Sequence, residues 1–116
     1  MGAIRGAVCV TNNVKDIEEK SVELIESIIK ANGISAKDID AVFFSATEDL
    51  DACYPAKSVR EKLSLTNVAF MCFSEMYVAG SMRGCIRVCV FVPGLSQSNC
   101  KHCYLGKAKD LRKDLA

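Results

Sequence analysis

The sequence predicts an α/β (α+β) fold: a mixed β-sheet with two helices on one face. Strand-like and helix-like segments follow one another in the order β-α-β-α-β-β, which is typical of a two-layer α/β sandwich. The fourth strand, predicted over Cys85–Val92, is rich in β-branched and apolar residues, as buried central strands are. With 116 residues the chain has room for one domain only, which we assign to residues 1–116.

The first strand and the first helix follow from two different periodicities. Residues 4–10 are predicted as a strand in which Arg5, Ala7 and Cys9 share one face. The next segment repeats apolar side chains at helical spacing and predicts a helix that stops at Asn32-Gly33. The cap candidates are Thr11, Asn12 and Asn13, and the helical stripe consists of Ile17, Ser21, Leu24, Ile25, Ile28 and Ile29.

The remaining elements are shorter. Residues 40–46 predict the second strand, and Pro55 is suited to the first turn of a second helix that runs to about residue 65. Residues 68–74 predict the third strand, which a glycine-containing loop joins to the fourth. A polar connection follows, and then a charged tail, residues 101–116, with a short apolar piece at 103–105.

The two predicted helices can cover only one face of the sheet. The opposite face would carry Arg5, Cys85, Arg87 and Cys89, and it needs a cover as well. Another copy of the chain is the obvious cover. We therefore expect a homo-oligomer with functional sites at its interfaces.

Composition excludes several classes of function. The net charge of +1 argues against a general nucleic-acid or membrane-surface role. No apolar run approaches the ~20 residues of a membrane span, and residues 1–5 lack a signal-peptide profile, so we expect a cytoplasmic protein. Of the seven cysteines, Cys9, Cys72, Cys85 and Cys89 lie in apolar runs, and we expect reduced, buried thiols.

The segment C-K-H-C, Cys100 to Cys103 with the sole histidine His102, superficially resembles a metal or redox pair. A structural zinc site normally needs four ligands, and a thioredoxin-type pair needs a helix after it; neither is indicated here. We interpret the segment as a coincidence in a cysteine-rich chain and His102 as a surface or loop residue. No phosphate-binding loop or Ser/His/Asp set is present.

Arg87 is the most informative residue, because it interrupts the predicted central strand. A guanidinium keeps its charge and needs an anionic or hydrogen-bonding partner when it is buried. Glu75, just after the third strand, is a structural partner candidate, since acids are scarce at the strand ends. Arg5 raises the same question in the first strand. Either each arginine has a structural carboxylate, or the strands carry both toward a bound anion.

Six blocks of sequence, taken together, resemble the AroH class of chorismate mutases. They span nearly the whole chain in the family's order and spacing. They are A-I-R-G-A at 3–7, S-A-T-E-D-L-D-A at 45–52, Y-P-A-K-S-V-R at 54–60, C-F-S-E-M at 72–76, C-I-R-V at 85–88 and H-C-Y-L at 102–105. A seventh, D-L-R-K-D-L at 110–115, extends the likeness into the tail. Tyr54 stands where the family often has Phe, and Met71 replaces a small hydroxyl residue.

The resemblance implies a homotrimer that forms a pseudo-α/β-barrel, with active sites between subunits. The implied reaction is the Claisen rearrangement of chorismate to prephenate, in phenylalanine and tyrosine biosynthesis, with no cofactor and no metal. The implied catalytic residues are Arg87, beside the ether oxygen, and Glu75, at the ring hydroxyl. Arg5, Tyr104, Cys72, Tyr54, Ala56, Lys57, Arg60, Met71, Leu111 and Arg112 are the implied substrate-binding residues, the last two on a mobile tail of about residues 106–116.

Three other functions remain open at this stage. A trimeric binder of small carboxylates would bind a ligand without turnover. A RidA-like imine deaminase also forms small trimers with an interfacial arginine, but it would not need Arg5, Glu75 and Tyr104 together. A zinc or redox protein using Cys100 and Cys103 would contain stoichiometric metal or a titratable disulfide. We expect neither nucleic acid nor a membrane as a partner.

Overall fold

The computed structural model describes residues 1–114, which form a five-stranded mixed sheet with two α-helices against one face. The strands are β1 (Gly2–Cys9), β2 (Ala41–Ala46), β3 (Ala69–Ser74), β4 (Cys85–Val92) and β5 (Cys103–Tyr104). The helices are α1 (Val14–Asn32) and α2 (Pro55–Lys62), and short 3₁₀ helices cover Ala36–Asp38, Gln97–Asn99 and Gly106–Leu111. The predicted fold class is confirmed.

The strand order in the sheet is β3-β2-β4-β1-β5. The central strand, β4, is antiparallel to both of its neighbours, β1 and β2. The two edge strands are each parallel to the strand they join, β3 to β2 and β5 to β1. The prediction that Arg87 lies in a central strand is therefore confirmed.

The ends of α1 are those expected from the sequence. The side chain of Asn13 accepts a hydrogen bond from the backbone N–H of Asp16 at 2.7 Å, which satisfies one of the unpaired donors of the first turn. At the other end, Gly33 adopts a left-handed conformation with φ of 60°, and its N–H bonds the carbonyl groups of Ile29 and Lys30. A glycine accepts this φ without the penalty that a side chain would add.

Helix α2 begins at Pro55, as predicted, but ends at Lys62 and not near residue 65. Ser64 has a positive φ of 54°, so the chain leaves the helix there. This turn places Leu65 in the core, where it is 1% exposed. Burial of that leucine therefore overrides the helical continuation that the sequence suggested.

The main core lies between the two helices and one face of the sheet. In the strands, every second residue points into it, as the pleat requires. Close approach matters at Gly6, where a Cβ atom would come within 3.1 Å of the side chains of Leu24 and Ile28. The sheet contributes Ile4, Val8, Val42, Phe44, Ile86, Val88, Val90 and Val92, and the helices contribute Ile17, Leu24, Ile25, Ile28, Ala56 and Val59.

The opposite face, which we call the open face, is partly covered by the chain's own C-terminal segment. There Ala7, Cys85, Tyr104 and Ala108 form a second buried cluster against the 3₁₀ helix Gly106–Leu111. The sequence did not indicate this cover from the chain itself; another copy of the chain was expected as the obvious cover of the whole face. The sequence did not predict β5 because two residues are too few to show a periodicity. The predicted tail extends to residue 116, and its last two residues lie outside those described.

Beside β2 and β3, the open face is apolar and accessible in the single chain. Phe43 packs edge-to-face against Phe73 and Phe91, with ring centroids 5.6 and 5.1 Å away. Phe73 is nevertheless 47% exposed and Met71 53% exposed. Both belong to the edge strand β3, which has a neighbour on one side only.

Burial of the thiols was over-predicted. Of the four cysteines in apolar runs only Cys85 is buried; Cys9 and Cys89 are partly buried, and Cys72 in β3 is exposed. An edge strand has no second neighbouring strand, so apolar residues in it need not be covered. All seven cysteines are unpaired thiols. Within residues 1–114, no helix has the length and apolar composition needed to cross a bilayer.

Candidate active site

The register of the sheet places most of the predicted site residues side by side on the open face. Arg87 lies directly opposite Ala7 on β1 and Ser45 on β2. Because residues paired across strands share a face, each register position forms a row of neighbouring side chains. One row reads Phe73, Ser45, Arg87, Ala7, Tyr104, and the next reads Met71, Phe43, Cys89, Arg5.

Arg87 and Glu75 form the ion pair that the sequence suggested. Nη1 of Arg87 lies 3.4 Å from Oε1 of Glu75, and the two side chains are 43% and 24% exposed. The same carboxylate oxygen accepts a hydrogen bond of 2.8 Å from the hydroxyl of Ser45. The pair fixes the carboxylate in front of the guanidinium, while nearly half of the Arg87 side chain stays accessible to a ligand.

Arg5 is a diagonal neighbour of Arg87 on the adjacent strand, because its direct partner on β4 is Cys89. Diagonal Cα atoms of antiparallel strands are about 7–8 Å apart, within reach of two long side chains. Two guanidinium groups on one open surface favour binding of an anion with two negative groups. This is the electrostatic character that the sequence predicted.

His102 lies in the loop before β5, in agreement with the prediction of a surface or loop residue, and it is partly buried beside Arg5. Its Nδ1 accepts a hydrogen bond of 2.9 Å from the backbone N–H of Arg5. Burial, Arg5 and Arg112 all lower the pKa of His102, in that order of importance. The ring therefore stays neutral to lower pH than an exposed histidine would.

Tyr104 is only 5% exposed and packs in the second buried cluster, with Leu111 of the 3₁₀ helix against it. Just beyond, Arg112 forms two hydrogen bonds with Asp114, at 3.0 and 2.8 Å. That pairing raises the pKa of Arg112 and lowers the pKa of Asp114. Leu111 thus packs beside Ala7 and Tyr104, and Arg112 lies close enough to His102 to affect its pKa.

A second group of predicted site residues lies elsewhere in the same chain. Tyr54, Lys57 and Cys72 line a cleft of about 800 Å³ beside the start of α2 and the edge of β3. Ala56 is buried at 7% exposure in the first turn of α2, and Arg60 is exposed one turn later. Burial raises the pKa of Cys72, partly offset by a hydrogen bond from the backbone N–H of Ala56. One chain therefore does not bring this group to Arg87.

The loop after β2 forms the wall of this cleft, and Asn12 holds it in place. Oδ1 of Asn12 accepts hydrogen bonds of 3.0 Å from the backbone N–H groups of Asp51 and Ala52. Its Nδ2 donates to the carboxylate of Asp51 at 2.8 Å. A cap candidate in the sequence thus braces a loop, while its neighbour Asn13 caps the helix.

The described residues offer little for nucleophilic or metal chemistry. Burial raises the pKa of Cys85 to about 12, so its thiol stays protonated at neutral pH. Within residues 1–114, no three His, Cys, Asp or Glu side chains are grouped as metal ligands would be. The arrangement is suited to binding and electrostatic stabilisation of an anion.

Comparison with known proteins decides between the families considered above. Residues 1–115 match the family described as chorismate mutase type I. The chain belongs to this family. The family predicted from the seven sequence blocks is therefore confirmed.

Individual relatives agree with the assignment to the chorismate mutase family. Chorismate mutase AroH of Bacillus subtilis (strain 168) is 39% identical over 115 residues, which are 97% of this chain and 91% of that protein. Chorismate mutase AroH of Thermus thermophilus is 35% identical over 115 residues, covering 97% and 93%. The solved structure of a chorismate mutase from Clostridium thermocellum has a TM-score of 0.89 at 36% identity, covering 95% of this chain and 99% of that one.

Two residues that contact Glu75 and Arg5 were not identified from the sequence. Ser45 and His102 both lie inside blocks that carried the family resemblance, so membership of a block was the available signal. Neither residue carries an obligatory charge. Arg87 does, and its position in a strand therefore draws attention in the sequence. Their relation to Glu75 and Arg5 depends on strand register, which local sequence does not specify.

Proposed function

We propose that the protein is a chorismate mutase that rearranges chorismate to prephenate at a cleft between subunits of a homotrimer. It is an isomerase of aromatic amino acid biosynthesis. The observation that carries the residue roles is the open face, where Arg5, Arg87 and Glu75 stand together. A unimolecular pericyclic reaction needs positioning and charge stabilisation, which these side chains supply.

Arg87 stabilises the charge that develops in the transition state. The C–O bond of the substrate breaks ahead of C–C bond formation, so the ether oxygen becomes partly negative. A fixed guanidinium binds that oxygen more strongly in the transition state than in the ground state, and this difference lowers the barrier. The hydrogen-bonded contact with Glu75 holds the guanidinium in place beforehand.

The other open-face residues bind and orient the substrate. Chorismate carries two carboxylates, and Arg5 and Tyr104 bind one of them at the β1–β5 edge of the sheet. Glu75 accepts a hydrogen bond from the ring hydroxyl through the oxygen that Ser45 and Arg87 leave accessible. Leu111 and Arg112 cover the site from the C-terminal segment. Together these contacts favour the compact, reactive conformer of the enolpyruvyl arm.

A neighbouring subunit completes the cleft. What supports this is that Tyr54, Lys57 and Cys72 line a cleft away from Arg87 in their own chain. We assign Ala56 and Arg60 to the same wall, supplied across the interface, and Met71 to the neighbouring part of the open face. Large apolar side chains are exposed around β3, as is typical of interaction surfaces. They are Met71, Phe73, Met76, Tyr77 and Val78.

The reaction needs no cofactor or metal in this proposal, because no redox or hydrolytic step occurs. We place it in the cytoplasm, since a doubly charged substrate does not cross a bilayer unaided.

The direct test follows the loss of chorismate by its ultraviolet absorbance with pure protein, and identifies the product by its acid-catalysed conversion to phenylpyruvate. We expect saturable turnover without added metal or cofactor. Chorismate binding without turnover would favour a carboxylate-binding protein. Turnover of an imine but not of chorismate would favour a deaminase.

A further inference from the structure

His102, the only histidine of the chain, is oriented by a backbone group. The N–H of Arg5 points at Nδ1 of the ring, 2.9 Å away. A backbone N–H can only donate, so Nδ1 accepts. The neutral ring then carries its proton on Nε2, and this tautomer is fixed by the sheet itself.

The Nε2–H group has a second donor beside it. Nη2 of Arg5 lies 3.5 Å from Nε2 of His102, and both nitrogens carry hydrogens. They cannot bond to each other, and no other contact of Nε2 occurs within residues 1–114. Two adjacent donors of this kind can be satisfied by one oxygen that accepts from both, such as a carboxylate oxygen.

The charges around the ring also favour an anion. The groups that act on His102 are the guanidinium groups of Arg5 and Arg112. The acid nearest to them is Asp114, which pairs with Arg112 at 2.8 Å and also interacts with Arg5. His102 precedes β5 and lies at the edge of β1, where its ring contacts both the backbone N–H and the guanidinium of Arg5. The ring therefore borders the position where we place a substrate carboxylate.

We propose that His102 is a substrate-binding residue whose Nε2–H donates to the carboxylate that Arg5 binds. This inference rests on the proposed function and extends it by one residue. Because the hydrogen bond from Arg5 holds the ring beforehand, little side-chain freedom is lost when the substrate arrives. The Nε2–H group of His102 fixes the orientation of the carboxylate, which would otherwise be held only by the flexible guanidinium of Arg5.

Two substitutions of His102 test the roles of its two ring nitrogens separately. His102→Asn places an oxygen where Nδ1 is, so it can accept from the Arg5 N–H, but it has no group at Nε2. His102→Gln places an amide donor near Nε2 and lacks the Nδ1 acceptor. Lys101→Ala, at the exposed adjacent position, removes a positive charge and serves as the matched control.

We expect His102→Asn to raise KM for chorismate about tenfold with kcat within about twofold, since it loses one hydrogen bond to a charged group. His102→Gln should keep KM closer to the wild-type value while losing stability, and Lys101→Ala should change KM less than about twofold. A wild-type KM in His102→Asn overturns the inference. An equal rise in KM for both His102 variants does so too, since it would indicate a structural role.

Nuclear magnetic resonance gives an independent readout, because a single histidine gives a single set of ring signals. In ¹⁵N-labelled protein we expect the Nε2–H tautomer, and addition of prephenate should shift the Nε2 and Hε2 signals. Prephenate that shifts backbone amides around Arg5 but not the ring overturns the inference and leaves the proposed function intact. Absence of both turnover and prephenate binding overturns the proposed function and this inference with it.

Discussion

Arg87 is an awkward residue for folding, and the catalytic role that we propose for it explains its position. It occupies the central strand, its guanidinium contacts Glu75 at 3.4 Å, and 43% of its side chain remains exposed. Lysine at this position would keep the charge but lose the planar, multiply bonded contact with the ether oxygen.

We therefore expect Arg87→Lys to lower kcat by about 10²–10³ or more, the range seen when one preorganised donor is removed. The measurement is steady-state turnover of chorismate, with circular dichroism to verify folding. Arg83→Lys is a matched control, because Arg83 is 44% exposed and pairs with Glu48 at 3.1 Å outside the site. Equal activity of Arg87→Lys and Arg83→Lys would contradict the role of Arg87.

The lowered pKa of His102 leads to a prediction of how the stability of the protein depends on pH. This pKa is lowered in the folded chain, so the unfolded chain binds a proton more readily as the pH falls through the usual value of 6.5. The unfolded state then holds more protons, and the free energy of unfolding rises with pH across this window. Its contribution is present above pH 6.5 and is lost below it.

Urea denaturation at pH 7.5, 6.5 and 5.5 measures this effect. We expect the midpoint to fall toward pH 5.5 in the wild type and to fall less in His102→Asn, which keeps the acceptor but does not titrate. Parallel pH profiles for the two proteins would show that other groups cause the dependence.

At the scale of elements, α1 is the helix whose ends the sequence defined best. The Asn13 side chain caps it through the Asp16 N–H, and losing such a cap costs about 1 kcal/mol of stability. Asn13→Ala should lower the free energy of unfolding by about this amount in urea titrations. Asn13→Asp keeps an acceptor and should stay close to wild type; equal losses in both variants would argue against the capping role.

The helices and strands were predicted accurately where the sequence pattern was long. The predictions were wrong where tertiary packing determined the bounds of an element. The 19 residues of α1 and the eight of β4 carry a clear periodicity, and both were located closely. Helix α2 ends early because Leu65 is drawn into the core. Strand β5 owes its conformation to pairing with Gly6 and Ala7, almost a hundred residues earlier in the chain. No local pattern reports such a pairing.

At the scale of the whole molecule, exposed apolar side chains around β3 predict assembly. Phe73 is 47% exposed and belongs to the surface that we assign to the subunit interface. Phe73→Asp should therefore shift the proposed trimer toward smaller species and lower chorismate turnover in parallel. Light scattering coupled to size-exclusion chromatography measures the mass.

Glu26→Lys is the control for this prediction, because it changes a charge at an exposed position of α1, away from the proposed interface. It should leave the mass and the turnover unchanged. A monomeric wild type with full activity would contradict the interfacial site.

The site itself was only partly predictable. Charged residues in strands, Arg5 and Arg87, were conspicuous from sequence, and family blocks supplied Glu75 and Tyr104. Sequence did not indicate that Cys72 lies with Tyr54 and Lys57 along the cleft, on the side away from Arg87. That division depends on the alternation of side chains in β3, whose register is set by its pairing with β2.

The pairing of β1 has a consequence for how the protein is made. Its two neighbours are β4 and β5, so β1 leaves the ribosome before both of them and must wait for residues 85–92 and 103–104. Contacts so distant in sequence close slowly, and an unpaired apolar strand is prone to aggregation in the meantime. Polypeptides released before residue 103 would lack one neighbour of β1 and the segment that buries Ala7, so truncated products of translation should be recognised and degraded as unfolded chains.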